Sequence, residues 1–173
     1  MFLDDLPPGY RVALMYHNDR QPRSRMIHGF STDRASLKAA LKRFSVPPAL
    51  HGTSDVYDAL IEAIQRLAAE DAEDVLPFDD ADLRSVVFIS DGKDNSSTQD
   101  AAAVVTAARN QKVRLYPLTY SAGSAVNYPD MIKLADETGG HLYRAGNAAN
   151  LVTFLGHRRS LVLKPVQDTG AAS

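Results

Sequence analysis

Apolar residues along this chain follow two alternating periods, which predicts a fold of alternating strands and helices. Continuous apolar or aromatic runs at residues 11–17, 85–90 and 113–120 predict strands, and a looser alternation at 25–30 predicts a hairpin partner at a sheet edge. The run SVVFIS at 85–90 is typical of a central parallel strand that is buried on both faces. A shorter strand is predicted at residues 141–144.

Segments with helical features lie between and around these strands. Residues 2–6 look like a helix end. Helices are predicted from a cap at Thr32 or Asp33 to Pro47, over residues 55–70, and from a cap at Ser96 or Ser97 to Asn110. Two more are predicted at residues 130–137, before Gly139 and Gly140, and from Asn147 or Asn150 to Gly156. Pro117 is expected near the end of its strand or at an irregularity, because proline cannot donate a ladder hydrogen bond.

This alternation predicts an α/β fold built on a doubly wound, mostly parallel sheet, with helices on both faces and one antiparallel edge strand. We expect one domain over residues 1–160 and a tail at 161–173 without a clear place in the fold. In sheets of this type, ligands bind beyond the carboxyl ends of the strands.

Composition narrows the classes of function. The 173 residues carry a formal net charge of only −2, so no basic field suggests a nucleic-acid partner. Cysteine is absent, which excludes disulfides, thiolate nucleophiles and cysteine-ligated zinc. The sequence has no Gly-x-Ser-x-Gly, no P-loop and no zinc-binding histidine spacing, so it gives no sign of an enzyme. It shows no signal peptide and no membrane-spanning run, which predicts a cytoplasmic protein unless an upstream export segment is missing.

Two loops at the predicted carboxyl rim carry candidate metal ligands. Thr53 precedes the helix at 55–70, and Asp91 directly follows the strand at 85–90. A hydroxyl and a carboxylate are hard oxygen donors, which suit Mg²⁺ or Mn²⁺. Each residue also has a plainer interpretation, since Thr53 can cap the following helix and Asp91 can cap the following turn.

Several segments together resemble the von Willebrand factor A-type (VWA), or integrin inserted-domain, family. They are FLDDLPPGYRVALMYH at 2–17, GTSDVYDAL at 52–60, VVFISDGKDNSS at 86–97 and ADETGGHLYRAGNAANLVTFL at 135–155. The resemblance covers roughly residues 1–156, the segments follow the same order as in the family, and the sequence is most similar to bacterial VWA proteins. It implies a metal-ion-dependent adhesion site in which Thr53 and Asp91 bind Mg²⁺, or Mn²⁺ or Ca²⁺. The carboxylate of a protein partner, or water, would complete the shell, and the function would be binding rather than catalysis.

The sequence departs from the family pattern at its start. The family's first strand and its Asp-x-Ser-x-Ser loop would precede Met1, so three ligand positions have no counterpart and we expect weak metal binding or none. The strands on either side would then expose unpaired edges, which favours self-association or a strand donated by another chain. The residues therefore leave three functions open: a protein-binding adhesion or scaffolding module, a Mg²⁺-assisted hydrolase at the same rim, and a truncated structural remnant.

Overall fold

Strands and helices alternate in the structure in the order that the hydrophobic pattern predicts. A computed structural model of the protein describes residues 2–6, 10–17, 24–45, 55–73, 84–90, 94–120 and 128–145. The helices are α1 (Phe2–Asp5), α2 (Arg34–Arg43), α3 (Val56–Glu73), α4 (Ala101–Asn110) and α5 (Tyr128–Asp136). The strands are β1 (Val12–His17), β2 (Ser24–Ser31), β3 (Ser85–Ser90), β4 (Arg114–Tyr120) and β5 (Tyr143–Ala145). The predicted last helix, from Asn147 or Asn150, and the tail lie outside the described residues.

The described strands form two sheets. β1 and β2 pair antiparallel, with Val12 opposite Ser31 and His17 opposite Ser24, which agrees with the predicted hairpin. β3, β4 and β5 form a parallel sheet in that order. Among these strands, β1 pairs with β2 alone and β3 pairs with β4 alone. The parallel order is the one expected when helices connect the strands.

Helix α3 lies along β1 and runs in the opposite direction. At one end of β1, the guanidinium of Arg11 donates a hydrogen bond to the carboxylate of Glu70, near the end of α3. At the other end, Nδ1 of His17 lies 3.6 Å from Oδ1 of Asp55, the residue before α3. The carboxyl end of β1 therefore lies at the amino end of α3.

Helix α2 covers the other face of β1. The ring of Tyr16 contacts that of Phe44, which follows α2, with their centroids 5.0 Å apart. Leu37 and Ala40 of α2 are buried. Because successive side chains of a strand point to opposite faces, Tyr16 faces α2 while His17 faces α3. Asp33 caps α2, as predicted, by accepting hydrogen bonds from two backbone N–H groups of its first turn.

The main hydrophobic core lies on one face of the parallel sheet. Side chains from α3, α4 and α5 meet there above β4, and Val86 and Phe88 of β3 pack against them. The prediction that β3 is buried on both faces is wrong, because Val87 is 42% exposed and Ile89 is 49% exposed. The helices that build this core cover the side of β3 that carries Val86 and Phe88, and the alternate residues point the other way.

Pro117 lies in the middle of β4, not at its end or at an irregularity as predicted. The N–H of Arg114 donates to a carbonyl beside β3, whereas that of Leu115 points the other way, to the hydroxyl of Thr138. Backbone N–H groups alternate in direction along a strand, so the nitrogen of Pro117 also points away from β3. Pairing with β5 begins only at Leu118, so the missing N–H removes no ladder hydrogen bond.

Three further boundaries differ from prediction. The cap of α4 is Asp100, whose Oδ1 accepts from the N–H of Ala103 at 2.8 Å, and not Ser96 or Ser97. An aspartate directly before the first turn satisfies an N–H that a serine three residues away cannot reach. Helix α5 begins at Tyr128, two residues before the predicted start, and β5 begins at Tyr143 rather than at residue 141.

Candidate functional site

The carboxyl ends of β1 and β3 meet at the amino end of α3. His17 is the last residue of β1 and lies beside Asp55. Asp94 follows the end of β3 by four residues, and its Oδ2 accepts a hydrogen bond from the Tyr57 N–H at 3.0 Å. We call this region, residues 55–58 together with 94–99, the rim.

Asp94 fastens the segment after β3 to the first turn of α3. Besides the bond from Tyr57, its Oδ1 accepts from the N–H of Ser97 at 3.1 Å and its Oδ2 accepts from the Ser97 hydroxyl at 2.6 Å. The Ser97 hydroxyl oxygen in turn accepts from the N–H of Asp58 at 3.1 Å. The first N–H groups of a helix have no partner within the helix, so this arrangement satisfies two of them from another part of the chain.

Asp58 of α3 binds the segment after β3. Its Oδ2 accepts from the N–H of Thr98 at 3.0 Å, and its Oδ1 accepts from the N–H of Gln99 at 3.1 Å. The hydroxyl of Thr98 lies within 3.2 Å of both carboxylate oxygens. The two halves of the rim therefore hold each other through reciprocal, charge-assisted hydrogen bonds.

Tyr57 joins the rim to α5. Its hydroxyl donates to Oδ2 of Asp130 at 2.7 Å, and the side chain is only 8% exposed. Burial raises the pKa of Tyr57 well above its ordinary value, and the hydrogen bond to the negatively charged Asp130 adds to that shift. The phenol therefore stays protonated and acts as a fixed donor rather than as an acid.

The rim is rich in negative charge. Its carboxylates and their neighbour on α5 are Asp55, Asp58, Asp94 and Asp130. Asp55 is fully buried, and the imidazole of His17 approaches it. Hydrogen-bond donors close to these carboxylates offset the cost of gathering like charges.

The predicted ligands Thr53 and Asp91 both lie outside the described residues. The structure does, however, join the residues that follow each of them. Asp55 and Tyr57 come after Thr53, Asp94 comes after Asp91, and Asp94 bonds to Tyr57. The far ends of the two candidate loops are therefore tied together.

The described donors do not themselves fit a metal site. Within the described ranges, no three histidine or carboxylate side chains are grouped so that they could hold a metal ion. The carboxylates of Asp58 and Asp94 already accept hydrogen bonds from the opposite half of the rim. Both side chains therefore hold the rim together.

Sequence reasoning missed these connecting residues. A local signal existed for Asp94, because an aspartate three residues before Ser97 can accept that residue's N–H in a turn. No local signal existed for Asp58, whose partners lie forty residues or more further along the chain. The contact follows only once α3 and the segment after β3 are placed at the same edge.

Solved structures give the fold a precedent. The chain is similar to a von Willebrand factor type A protein from Catenulispora acidiphila, with a TM-score of 0.66 and 16% sequence identity over 89% of this chain. The chain has a VWA-like fold. It is also similar to the conserved hypothetical protein BatB from Bacteroides thetaiotaomicron, with a TM-score of 0.58 and 17% identity over 88% of this chain and 79% of that one. A third match is proximal thread matrix protein 1 from the mussel byssus, with a TM-score of 0.60 and 16% identity over 89% of this chain.

The likeness is one of fold. The chain spans 34% of the Catenulispora protein and 36% of the mussel protein. No protein-family model matches the sequence, and no curated protein matches it either. The predicted VWA-like fold is confirmed, whereas the predicted lack of a first strand stays a prediction. In the described ranges, no helix combines the length and the apolar character needed to cross a membrane.

Proposed function

We propose that this protein is a protein-interaction module, of the adhesion or scaffolding kind, whose partner binds at the rim. The observation that carries the proposal is the hydrogen bond from the Tyr57 N–H to Asp94, which ties together the ends of the two candidate ligand loops. The VWA-like fold supports it, since ligands of open α/β sheets bind beyond the carboxyl ends of the strands. The proposed role is binding and not turnover.

We further propose that Thr53 and Asp91 bind Mg²⁺, or Mn²⁺ or Ca²⁺, and that a carboxylate of the partner completes the shell. The charge of the rim supports a cation, because a partner carboxylate would otherwise approach several aspartates of like sign. Two hard oxygen donors hold such an ion weakly, so the partner's carboxylate would contribute much of the affinity. A bound cation would supply positive charge beside these aspartates.

Titration of Mn²⁺ into the isotope-labelled chain, followed by nuclear magnetic resonance, tests the metal part. A paramagnetic ion bound between Thr53 and Asp91 is expected to broaden the amide signals of Tyr57 and Asp94. Asp91→Ala is expected to abolish that broadening. Asp33→Asn is the matched control, because Asp33 lies after β2, at the opposite end of the sheet, and also loses one charge.

The two parts of the proposal fail separately. If Mn²⁺ leaves the rim signals unchanged, or if Asp91→Ala does not alter the effect, the metal role is wrong. Protein binding is tested by comparing what the wild type, Asp94→Ala and Asp33→Asn capture from a cell extract. Partners bound by the wild type and Asp33→Asn but lost by Asp94→Ala would support the rim, and equal capture by all three would contradict it.

A further inference from the structure

A cavity of about 300 Å³ lies at the amino end of the parallel sheet. The end of α4 and the start of β4 form one side of it, and the turn that follows α5 forms the other. The rim follows the carboxyl end of β3, which runs parallel to β4, so the cavity and the rim lie at opposite ends of the sheet. The volume is at the lower end of the range for pockets that hold small ligands.

The lining of this cavity has an excess of positive charge. Among the described residues that line it, Arg109, Lys112 and Arg114 are cationic and Glu137 alone is anionic. Glu137 contacts one of the three cations, since Nη2 of Arg109 lies 3.5 Å from its Oε2 and Nε of Arg109 donates to its carbonyl at 2.6 Å. Three cations against one carboxylate leave an excess of two positive charges, whereas the whole chain carries a net charge of −2.

Lys112 has a backbone conformation that lysine seldom adopts. Its φ is 53°, and among the described residues it is the one residue other than glycine with a positive φ. It follows α4, where its N–H donates to the carbonyl of Arg109 and the N–H of Val113 donates to that of Ala108. Glycine is preferred at this position after a helix because it has no Cβ to clash. A larger residue that is kept there points to a use for its side chain.

Attraction to the end of α4 does not account for this lysine. Cations do stabilise the carboxyl end of a helix, but two others already lie there. Arg109 is in the last turn of α4, and the guanidinium of Arg84 donates to the carbonyl of Gln111 at 3.2 Å. One more exposed cation contributes less than the left-handed conformation costs a residue with a Cβ. A ligand for the ammonium group of Lys112 would account for its presence.

The charge and the donors of the cavity match a phosphate group. A phosphate monoester carries a charge of about −1.5 to −2 at neutral pH, which balances the excess of two positive charges. A carboxylate, with a single charge, would leave half of that excess. Guanidinium groups present paired donors that fit phosphate oxygens, and a lysine ammonium binds phosphate as a point charge.

We propose that this cavity binds a phosphate group, either free or as the monoester of a small molecule, through Lys112 and Arg114. Glu137 holds Arg109 at the side of the cavity, where its charge adds to the attraction. The site is separate from the rim, and the inference does not depend on the proposed metal or on a partner that binds there.

Titration of inorganic phosphate into the isotope-labelled chain, followed by nuclear magnetic resonance without divalent cations, tests the proposal. The amide signals of Lys112, Val113 and Thr138 are expected to shift saturably, and those of Tyr57 and Asp94 at the rim are expected to stay in place. Sodium chloride at the same ionic strength controls for screening of charge. Glycerol 2-phosphate, titrated in parallel, distinguishes the two sources: tighter binding than that of inorganic phosphate would support an ester, and equal or weaker binding would support free phosphate.

Replacement of Lys112 by glycine separates binding from folding. Lys112→Gly removes the ammonium group and relieves the left-handed conformation, so phosphate should bind at least about tenfold more weakly while Tm rises by about 2–4 °C. Lys112→Arg keeps the charge and is expected to retain binding. Lys42→Gly is the matched control, because it makes the same substitution in the last turn of α2 and should leave the phosphate affinity unchanged.

Several results would overturn the proposal. Shifts that do not saturate, or that sodium chloride reproduces, would mean that the cavity holds no phosphate. Unchanged affinity in Lys112→Gly, or an equal loss in Lys42→Gly, would place the binding elsewhere. A fall in affinity together with a fall in Tm would mean that Lys112 supports the fold and not the ligand. A phosphoserine peptide that binds about tenfold more tightly than glycerol 2-phosphate would identify a protein ligand in place of a small one.

Discussion

Replacement of Asp94 by alanine should loosen the rim without touching the main core. The carboxylate accepts three hydrogen bonds, from the N–H of Tyr57 and from the N–H and hydroxyl of Ser97. Hydrogen bonds to a charged group contribute about 1.5–3 kcal/mol each, but Asp94 is partly exposed and water can replace some of them. We therefore expect Asp94→Ala to lower the free energy of unfolding by about 2–4 kcal/mol in total.

Asp100→Ala provides the matched comparison, because Asp100 caps only its own helix, through one bond to Ala103. Loss of such a cap costs about 0.5–2 kcal/mol. Urea unfolding followed by circular dichroism measures both variants, and for a chain of this size the expected loss at Asp94 corresponds to a fall in Tm of about 4–16 °C. If Asp94→Ala is no more destabilising than Asp100→Ala, the carboxylate does not tie the two halves of the rim together, and the reasoning for the site fails.

Four further substitutions have defined outcomes. Gly140→Ala should destabilise the fold by more than about 3 kcal/mol, because a Cβ at Gly140 would lie 1.8 Å from a backbone oxygen of β4. Gly139→Ala should cost only about 1–2 kcal/mol, because Gly139 has only a φ of 73° to maintain. Urea unfolding measures both variants. Because the pKa of Tyr57 is raised by folding, its contribution to stability is full below pH 10.0, the ordinary pKa, and falls as the pH rises above it. Tyr57→Phe should therefore flatten this alkaline loss of stability in unfolding curves between pH 9 and 11, about one unit on either side. Backbone hydrogen bonds from Ser36 and Ala35 lower the pKa of Asp33 below 3.8, so the contribution of Asp33 to stability is present above that pH and lost below it. Asp33→Asn should therefore reduce the acid dependence of stability in the same assay.

Much of the fold could be predicted because its elements depend on local patterns. Helix α3 shows a clear apolar stripe in the sequence, and the structure has it at Val56–Glu73, close to the predicted residues 55–70. The pattern of β3 predicted a strand correctly but its surroundings wrongly. Periodicity reports that residues are apolar, whereas burial depends on which neighbours the rest of the chain supplies. Pro117 shows the same limit, since only the pairing partners of β4 decide where a missing N–H is harmless.

The site was less predictable than the fold. That the loops with Thr53 and Asp91 lie at one rim stays a prediction, made because the carboxyl ends of parallel strands meet at one edge of a sheet. The structure joins only the residues that follow these loops, through the hydrogen bond from Tyr57 to Asp94. The reciprocal contacts of Asp58 and Asp94 join residues that are distant in sequence, and no periodicity or local spacing encodes such a pair. The cap of α4 failed for a related reason, because Ser97, a good cap by type, is held by Asp94 at the rim.

Helix α3 is what relates the two sheets to each other. The described strands of the two sheets share no ladder. The position of β1 relative to β3 therefore depends on side-chain contacts of α3. These lie at Arg11 and His17 on one side, and in the core at Val86 and Phe88 on the other. Such contacts permit small shifts, whereas a hydrogen-bonded ladder fixes spacing and register.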